Sequence, residues 1–368
     1  MKRMCNAYTL LIASMALYGC NHAVGLGSTP PAATWTAAVV ADNLAALDPF
    51  GTSTSLAADE AGHAAIAFGD DELHLARYDA ALGWSDRTFS PFGASHEDGF
   101  QSVVRFDGAA RPVIAVPHRD APSSAQIRFG DGSEAILPAT AGVLTDVAMV
   151  LDAHGQPHLA FDDSISGLGY AAWDGTSWQV EAVGVAIGVE VALALDPAGR
   201  PWIAHSTVDF KLEVASRADD GTWQLETIDR TDGYQGHSPS LAADSQGHVQ
   251  LAWVDGKSVT LKYALHDSGG WHTETVADQV GHVALALDAA GNAHVSFAAP
   301  NGGAGQPRPP APLQYAVRRS DGGWFTERVG ADGESDGWSS LVIGGDGIAR
   351  VSWYDYASGS LRYAERSN

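Results

Sequence analysis

From Trp35 to Arg366 the apolar residues alternate with polar ones in short runs, and the runs are broken by turns rich in Gly and Asp. That period of two predicts strands, and no apolar stripe is sustained at helical spacing. The clearest stretch begins Ser240-Leu241-Ala242-Ala243-Asp244, reaches Gly247, and runs from Val249 to Trp253. It continues Leu261-Lys262-Tyr263-Ala264 and closes with Trp271-His272-Thr273-Glu274-Thr275-Val276. Each piece reads as one short strand. The Asp-x-x-Gly between the first two is a tight hairpin, because Asp bonds its own backbone and Gly accepts positive φ.

This unit recurs through the chain. Its Asp stands at Asp59, Asp107, Asp152, Asp196, Asp244 and Asp288, with Gly344 in the seventh place. The following Gly stands at Gly62, Gly155, Gly199, Gly247, Gly291 and Gly347, with Ala110 as the exception. Taking the first residue as Ser55, Val103, Ala148, Ala192, Ser240, Ala284 and Ser340, the spacing runs from 44 to 56 residues. Four-stranded units of this length predict an all-β, seven-bladed β-propeller. The last unit stops at Leu361-Arg362-Tyr363-Ala364 without its Trp strand, and Trp35 to Val40 carries the missing pattern. The N-terminal strand is therefore expected to complete the last blade and remove the open edge. Six blades is the alternative, since the second unit lacks both the Gly and a Trp strand.

Three parts follow: a leader over 1–19, a flexible tether over 20–34 with Pro30 and Pro31, and the propeller over 35–368. Lys2 and Arg3 precede an apolar run from Ala7 to Leu17, which is too short to span a bilayer as a helix. The segment ends Leu17-Tyr18-Gly19-Cys20. This resembles the lipobox of bacterial lipoproteins, with Tyr18 where that family has a small residue. The resemblance implies acylation of Cys20 and a mature chain beginning there; cleavage near Ala23 is the alternative. Asn21, in place of an Asp, implies the outer membrane of a Gram-negative envelope. The repeat itself resembles the Ser-Leu-Ala-x-Asp-x-x-Gly units of bacterial secreted propellers. It is distantly similar to the Asp-box (BNR) repeat of sialidase-type propellers, at Ser320-Asp321-Gly322-Gly323-Trp324, where the box is a structural turn.

Charge narrows the partners. The 368 residues carry 44 acidic and 21 basic side chains, a formal charge of −23. Such a surface repels phosphate backbones and excludes nucleic acid. Membrane attachment is left to the acyl chains. A monomer is expected, with a protein or glycan of the envelope as partner.

Candidate chemistry sits on the face where the fourth strand of one unit leads to the first of the next, and the second to the third. His96, His118, Arg119, His205, Tyr234, His237, Trp338, Tyr354, Asp355 and Tyr356 are the candidate ligand contacts. His118 and His205 stand out because they break the repeat. Asp162, Asp163 and Asp255 read as turn caps after second strands, and His63, His154, His158, His248 and His294 as structural residues of the opposite hairpins. Trp178, Trp223, Trp271 and Trp324 recur at one strand position, which indicates packing between blades. The insertion from Ala298 to Pro312 is expected over the binding face, as a lid or a neutral loop. No His-Glu-x-x-His, Gly-x-Ser-x-Gly, P-loop or EF-hand pattern is present. No cofactor is called for, and a divalent metal on the loop face stays open. A binding module is favoured over a carbohydrate-active enzyme, glycoside hydrolase or polysaccharide lyase, and over an envelope scaffold.

Overall fold

A computed structural model of the chain describes residues 33–42, 44, 54–69, 73–79, 82–89, 102–118, 123–230, 237–278, 280–298, 312–329, 338–355 and 358–367. Their regular structure is all strand, in seven four-stranded antiparallel sheets. The N-terminal strand is β1 (Trp35–Ala41). Blade I holds β2 (Thr54–Ala58), β3 (Ala64–Gly69), β4 (Leu73–Asp79) and β5 (Gly83–Phe89). Blade II holds β6 (Val103–Phe106), β7 (Pro112–His118), β8 (Ser124–Arg128) and β9 (Glu134–Ile136). Blade III holds β10 (Leu144–Leu151), β11 (Pro157–Asp163), β12 (Gly167–Trp173) and β13 (Trp178–Ala182). Blade IV holds β14 (Gly188–Leu195), β15 (Pro201–Thr207), β16 (Lys211–Arg217) and β17 (Trp223–Arg230). Blade V holds β18 (His237–Ala243), β19 (Val249–Asp255), β20 (Thr260–Asp267) and β21 (Gly270–Asp278). Blade VI holds β22 (His282–Leu287), β23 (Ala293–Ala298), β24 (Gln314–Arg318) and β25 (Trp324–Arg328). Blade VII holds β26 (Ser339–Ile343), β27 (Ala349–Asp355) and β28 (Ser360–Arg366), and β1 completes it.

The closing strand pairs as expected. Trp35 lies opposite Arg366 and Val39 opposite Arg362, antiparallel throughout. The degenerate second unit is a true blade, with the three-residue β9 as its outer strand. Seven hydrophobic clusters, one at each junction between neighbouring blades, form the core. The junction of blades VII and I is built like the rest, from Leu361 and Tyr363 against Leu56, Ile66 and Phe68. Burial between blade faces therefore closes the ring, because among the described residues no strand pairs with a strand of the next blade.

The Asp hairpins all lie at one end of the inner strands. Asp59 Oδ1 accepts the backbone N–H of Ala61 at 2.9 Å and of His63 at 2.8 Å, while its other oxygen meets the His63 ring at 2.7 Å. Asp244 repeats this with Gln246 and His248. Arg111, Arg200 and Asn292 take the place of the histidine against Asp107, Asp196 and Asp288. The carboxylates stay ionised here, since these donors hold Asp59, Asp107, Asp244 and Asp288 below the usual range against the opposing effect of burial. Ala110, standing where the other hairpins have Gly, is held at φ 57°.

The rim carries a second repeated device. Trp223 meets Tyr170 of the preceding blade edge-on at 5.4 Å, Trp324 meets Tyr263 at 5.2 Å and Trp35 meets Tyr315 at 5.1 Å. Each indole N–H donates to a glutamate of the preceding blade: Glu181, Glu274 and Glu327. Arg217, Arg318 and Arg366 bind the same three glutamates. Edge-on aromatic pairs and bonded arginines explain the recurrence of Trp at this position. These contacts latch the blades, and the Trp35 latch fastens the closing strand to blade VI.

Candidate functional site

Seven inner strands run side by side around the axis and enclose a cavity of about 500 Å³. Their first residues face the loop end, opposite the Asp hairpins. Two residues before the first repeat position, the chain places Asp146, Glu190, Ser238, His282 and Trp338 on blades III to VII. Ser53 and Gln101 hold that position in blades I and II and lie outside the described residues. One ring of equivalent positions at the channel mouth thus carries polar and aromatic side chains that differ from blade to blade.

The ring is bonded around its circumference. Asp146 accepts the backbone N–H of Val191 in blade IV at 2.7 Å. Glu190 accepts that of Ser238 in blade V at 2.7 Å and the hydroxyl of Ser206 at 3.2 Å. The Ser238 hydroxyl lies 3.4 Å from His282 Nδ1 in blade VI. His282 in turn stacks on Trp338 of blade VII, with ring centroids 4.0 Å apart and planes 30° apart. The inner strands of blades III, IV and V each shift register beside this position, and Ser238 takes φ 36° there. Bulges of this kind end the pairing and re-aim side chains toward the axis.

Two carboxyls at the mouth are shifted. Burial pushes Asp146 up to about 8, reinforced by the charges of Glu190 and Asp162 and opposed by the N–H groups of Val191 and Val147. Burial pushes Glu190 up to about 7, opposed by Ser238 and Ser206. Both can therefore donate as well as accept hydrogen bonds near neutrality.

Behind the mouth, at the junction of blades III and IV, His205 is wholly buried between two acids. Its Nδ1 lies 3.4 Å from Asp162 and its Nε2 3.5 Å from Glu213, without an aligned hydrogen bond on either nitrogen. Asp162, also wholly buried, is raised by burial and lowered in part by His205. Its carboxylate rests against Gly188, where an added Cβ would fall 2.0 Å from Oδ2. Among the described residues no group of three or more His, Cys, Asp or Glu is arranged to hold a metal ion.

The sequence candidates fall into three groups. Cys20, His96, Arg119, Tyr234 and Tyr356 lie outside the described residues, as do the His237 side chain and residues 299–311 of the insertion. Trp338 joins the mouth, and His118 ends β7 half-buried. His205, Tyr354 and Asp355 are 0%, 3% and 2% exposed, so the structure turns them into the protein. Tyr354 donates to the Leu44 carbonyl at 3.4 Å, and Asp355 binds Arg362 at 2.7 Å and accepts from Ser358. Asp146, Glu190 and Arg105 were not singled out by sequence. The available signal was the repeat itself: each occupies a position where blades differ.

Solved structures share the architecture. A catalytically inactive virginiamycin B lyase from Staphylococcus aureus, with quinupristin, aligns at a TM-score of 0.59 and 9% identity, over 90% of this chain and 99% of that one. A protein of unknown function from Dyadobacter fermentans aligns at 0.55 and 12% identity, over 92% and 99%. The Aleuria aurantia lectin in complex with Fucalpha1-6GlcNAc aligns at 0.51 and 14% identity, over 77% and 97%. At these identities the likeness is one of fold. No protein-family model matches the chain, and no curated protein matches it.

Proposed function

We propose that this chain is a binding propeller that takes a glycan at the mouth of its central channel. The observation that carries the reading is the Trp338 and His282 stack set on one ring with Asp146 and Glu190, above an open cavity. A sugar needs an apolar face to stack on and polar groups that both donate and accept. The two shifted carboxyls supply the second requirement near neutrality. A lectin of the same architecture, held in complex with Fucalpha1-6GlcNAc, supports the class of ligand. The Leu17 to Cys20 segment supports acylation at Cys20 and residence in the cell envelope, with the propeller tethered by residues 20–34.

A glycan-array screen with and without divalent metal tests the binding. Specific, saturable binding that survives chelation is expected; no binding across a broad array contradicts the reading. Acyl labelling in a bacterial host, lost in Cys20→Ser, tests the anchor, and labelling that persists in that variant contradicts it.

A second reading is favoured by the same carboxyls. An acid that stays protonated near neutrality can protonate a leaving oxygen, as a glycoside hydrolase requires. Incubating the array hit with the protein separates the two readings. Cleavage that disappears in Glu190→Gln or Asp146→Asn supports an enzyme, and an intact hit supports a binding module.

A further inference from the structure

We propose that Arg105 makes the central channel an oxyanion site, suited to the carboxylate of an acidic sugar or another small organic acid. Arg105 lines the same channel four residues along from the mouth ring, and the proposal does not rest on the glycan reading of that ring.

The position of Arg105 is the first argument. It lies on β6, four residues along from the mouth ring, and lines the cavity. The equivalent residues of the other blades are Ala57, Val150, Ala194, Ala242, Ala286 and Val342. Six blades thus place a small apolar side chain where blade II places the longest cation available. No packing rule of the repeat calls for it.

Its partners are the second argument. Among the described residues the guanidinium donates one hydrogen bond, from Nη1 to the carbonyl of the adjacent Val104 at 2.7 Å, and enters no ion pair. Five other arginines that pack inside the structure are paired with carboxylates: Arg217, Arg318 and Arg366 with the rim glutamates, Arg350 with Asp346 and Glu365, and Arg362 with Asp355. Burial alone lowers Arg105 to about 10, so it keeps its charge at neutral pH. A channel-facing cation with no carboxylate bonded to it keeps its planar fork available, and that fork matches a carboxylate or phosphate.

Among the described residues, the other charged side chains lining the cavity are Asp146 and Glu190. With these raised to about 8 and 7, the channel admits an anion best in mildly acidic solution. Asp162, wholly buried behind them, adds to the shift of Asp146, and His282 faces the ring through Ser238. As pH rises past 7 to 8 both mouth carboxyls ionise and oppose the anion, so affinity should fall.

The test is thermal shift and calorimetry on the purified protein with acetate, inorganic phosphate, D-galacturonate and neutral D-galactose. Arg105→Ala restores the residue that four other blades carry, so it should fold. The expected result is a concentration-dependent stabilisation by anions, absent with galactose, at least about tenfold weaker in Arg105→Ala and weakening above pH 7. A response confined to galacturonate assigns the site to an acidic sugar, and an equal response to phosphate and acetate assigns it to free oxyanions. Equal responses in wild type and Arg105→Ala overturn the proposal, as does a wild type that answers no anion. The mouth reading is judged separately, by Trp338→Ala against neutral glycans.

Discussion

The junction of blades III and IV is regular at its rim and irregular at its axis. At the rim, Tyr170, Glu181, Arg217 and Trp223 repeat a latch found again at the junctions of blades V with VI and VI with VII. Toward the axis, the same junction replaces a repeated aromatic with His205 and sets it between Asp162 and Glu213. The equivalent residues elsewhere are Phe68, Phe161, Trp253, Phe297 and Trp353, with Val116 in blade II. The contrast separates two tasks. Positions that keep their residue from blade to blade, charged ones included, hold turns and blade junctions together, and positions that change carry the polar groups not used in that repeated structure.

The largest effect should come from breaking the irregular part. His205→Ala leaves Asp162 buried without its partner and opens a cavity, and should cost about 3 kcal/mol. The double variant Asp162→Ala with His205→Phe restores the residue types of blade VI and should recover wild-type stability or exceed it. Urea denaturation of the single and double variants checks this, and a double variant as weak as the single contradicts it.

The pH response comes next. The folded pKa values of Asp146 and Glu190 stand above those of ordinary carboxyls. Their contribution to stability is therefore complete below about pH 4 and is lost as pH rises through 7 and 8. The hairpin aspartates act in the opposite sense, and their contribution is lost only in acid, below their lowered values. Melting temperature should fall between pH 5 and 8, and Asp146→Asn with Glu190→Gln should flatten that slope. An unchanged slope would place the titration elsewhere.

The rim should yield smaller and equal effects. Trp35→Ala, Trp223→Ala and Trp324→Ala each remove one latch and should each cost about 2 kcal/mol, as measured by denaturant midpoints. A much larger cost at Trp35 would mean that closure depends on more than the latch. The smallest effect is a gain: Ala110→Gly relieves a left-handed backbone and should stabilise by about 1 kcal/mol.

Fold was legible because its determinants recur. Asp-x-x-Gly marks five of the seven hairpins and half of it marks the other two, the Trp position marks the latch, and Trp35 to Val40 supplies the strand that Leu361 to Ala364 lacks. The reading of Trp223 and Trp324 as packing between blades follows from the same recurrence, and the structure places them there. The site was less legible for a physical reason. His205 was visible as a departure from the repeat, but a second strand lies between the inner and third strands, and blade III covers its face, so the ring ends buried. Asp146 and Glu190 sit just ahead of the repeat's first conserved-looking residue, where register shifts decide whether a side chain meets the channel or a neighbouring blade. Periodicity does not reveal a bulge. Arg105 was readable in principle, since its six counterparts are all Ala or Val.

The central claim is that binding resides in the variable ring at the mouth and not in the repeated rim. The most direct measurement is titration of the strongest array glycan against Trp338→Ala and against Trp324→Ala, both well below their melting temperatures. The account predicts that Trp338→Ala loses at least about tenfold in affinity while Trp324→Ala binds as wild type. The reverse pattern, with binding lost at the rim and kept at the mouth, would contradict it.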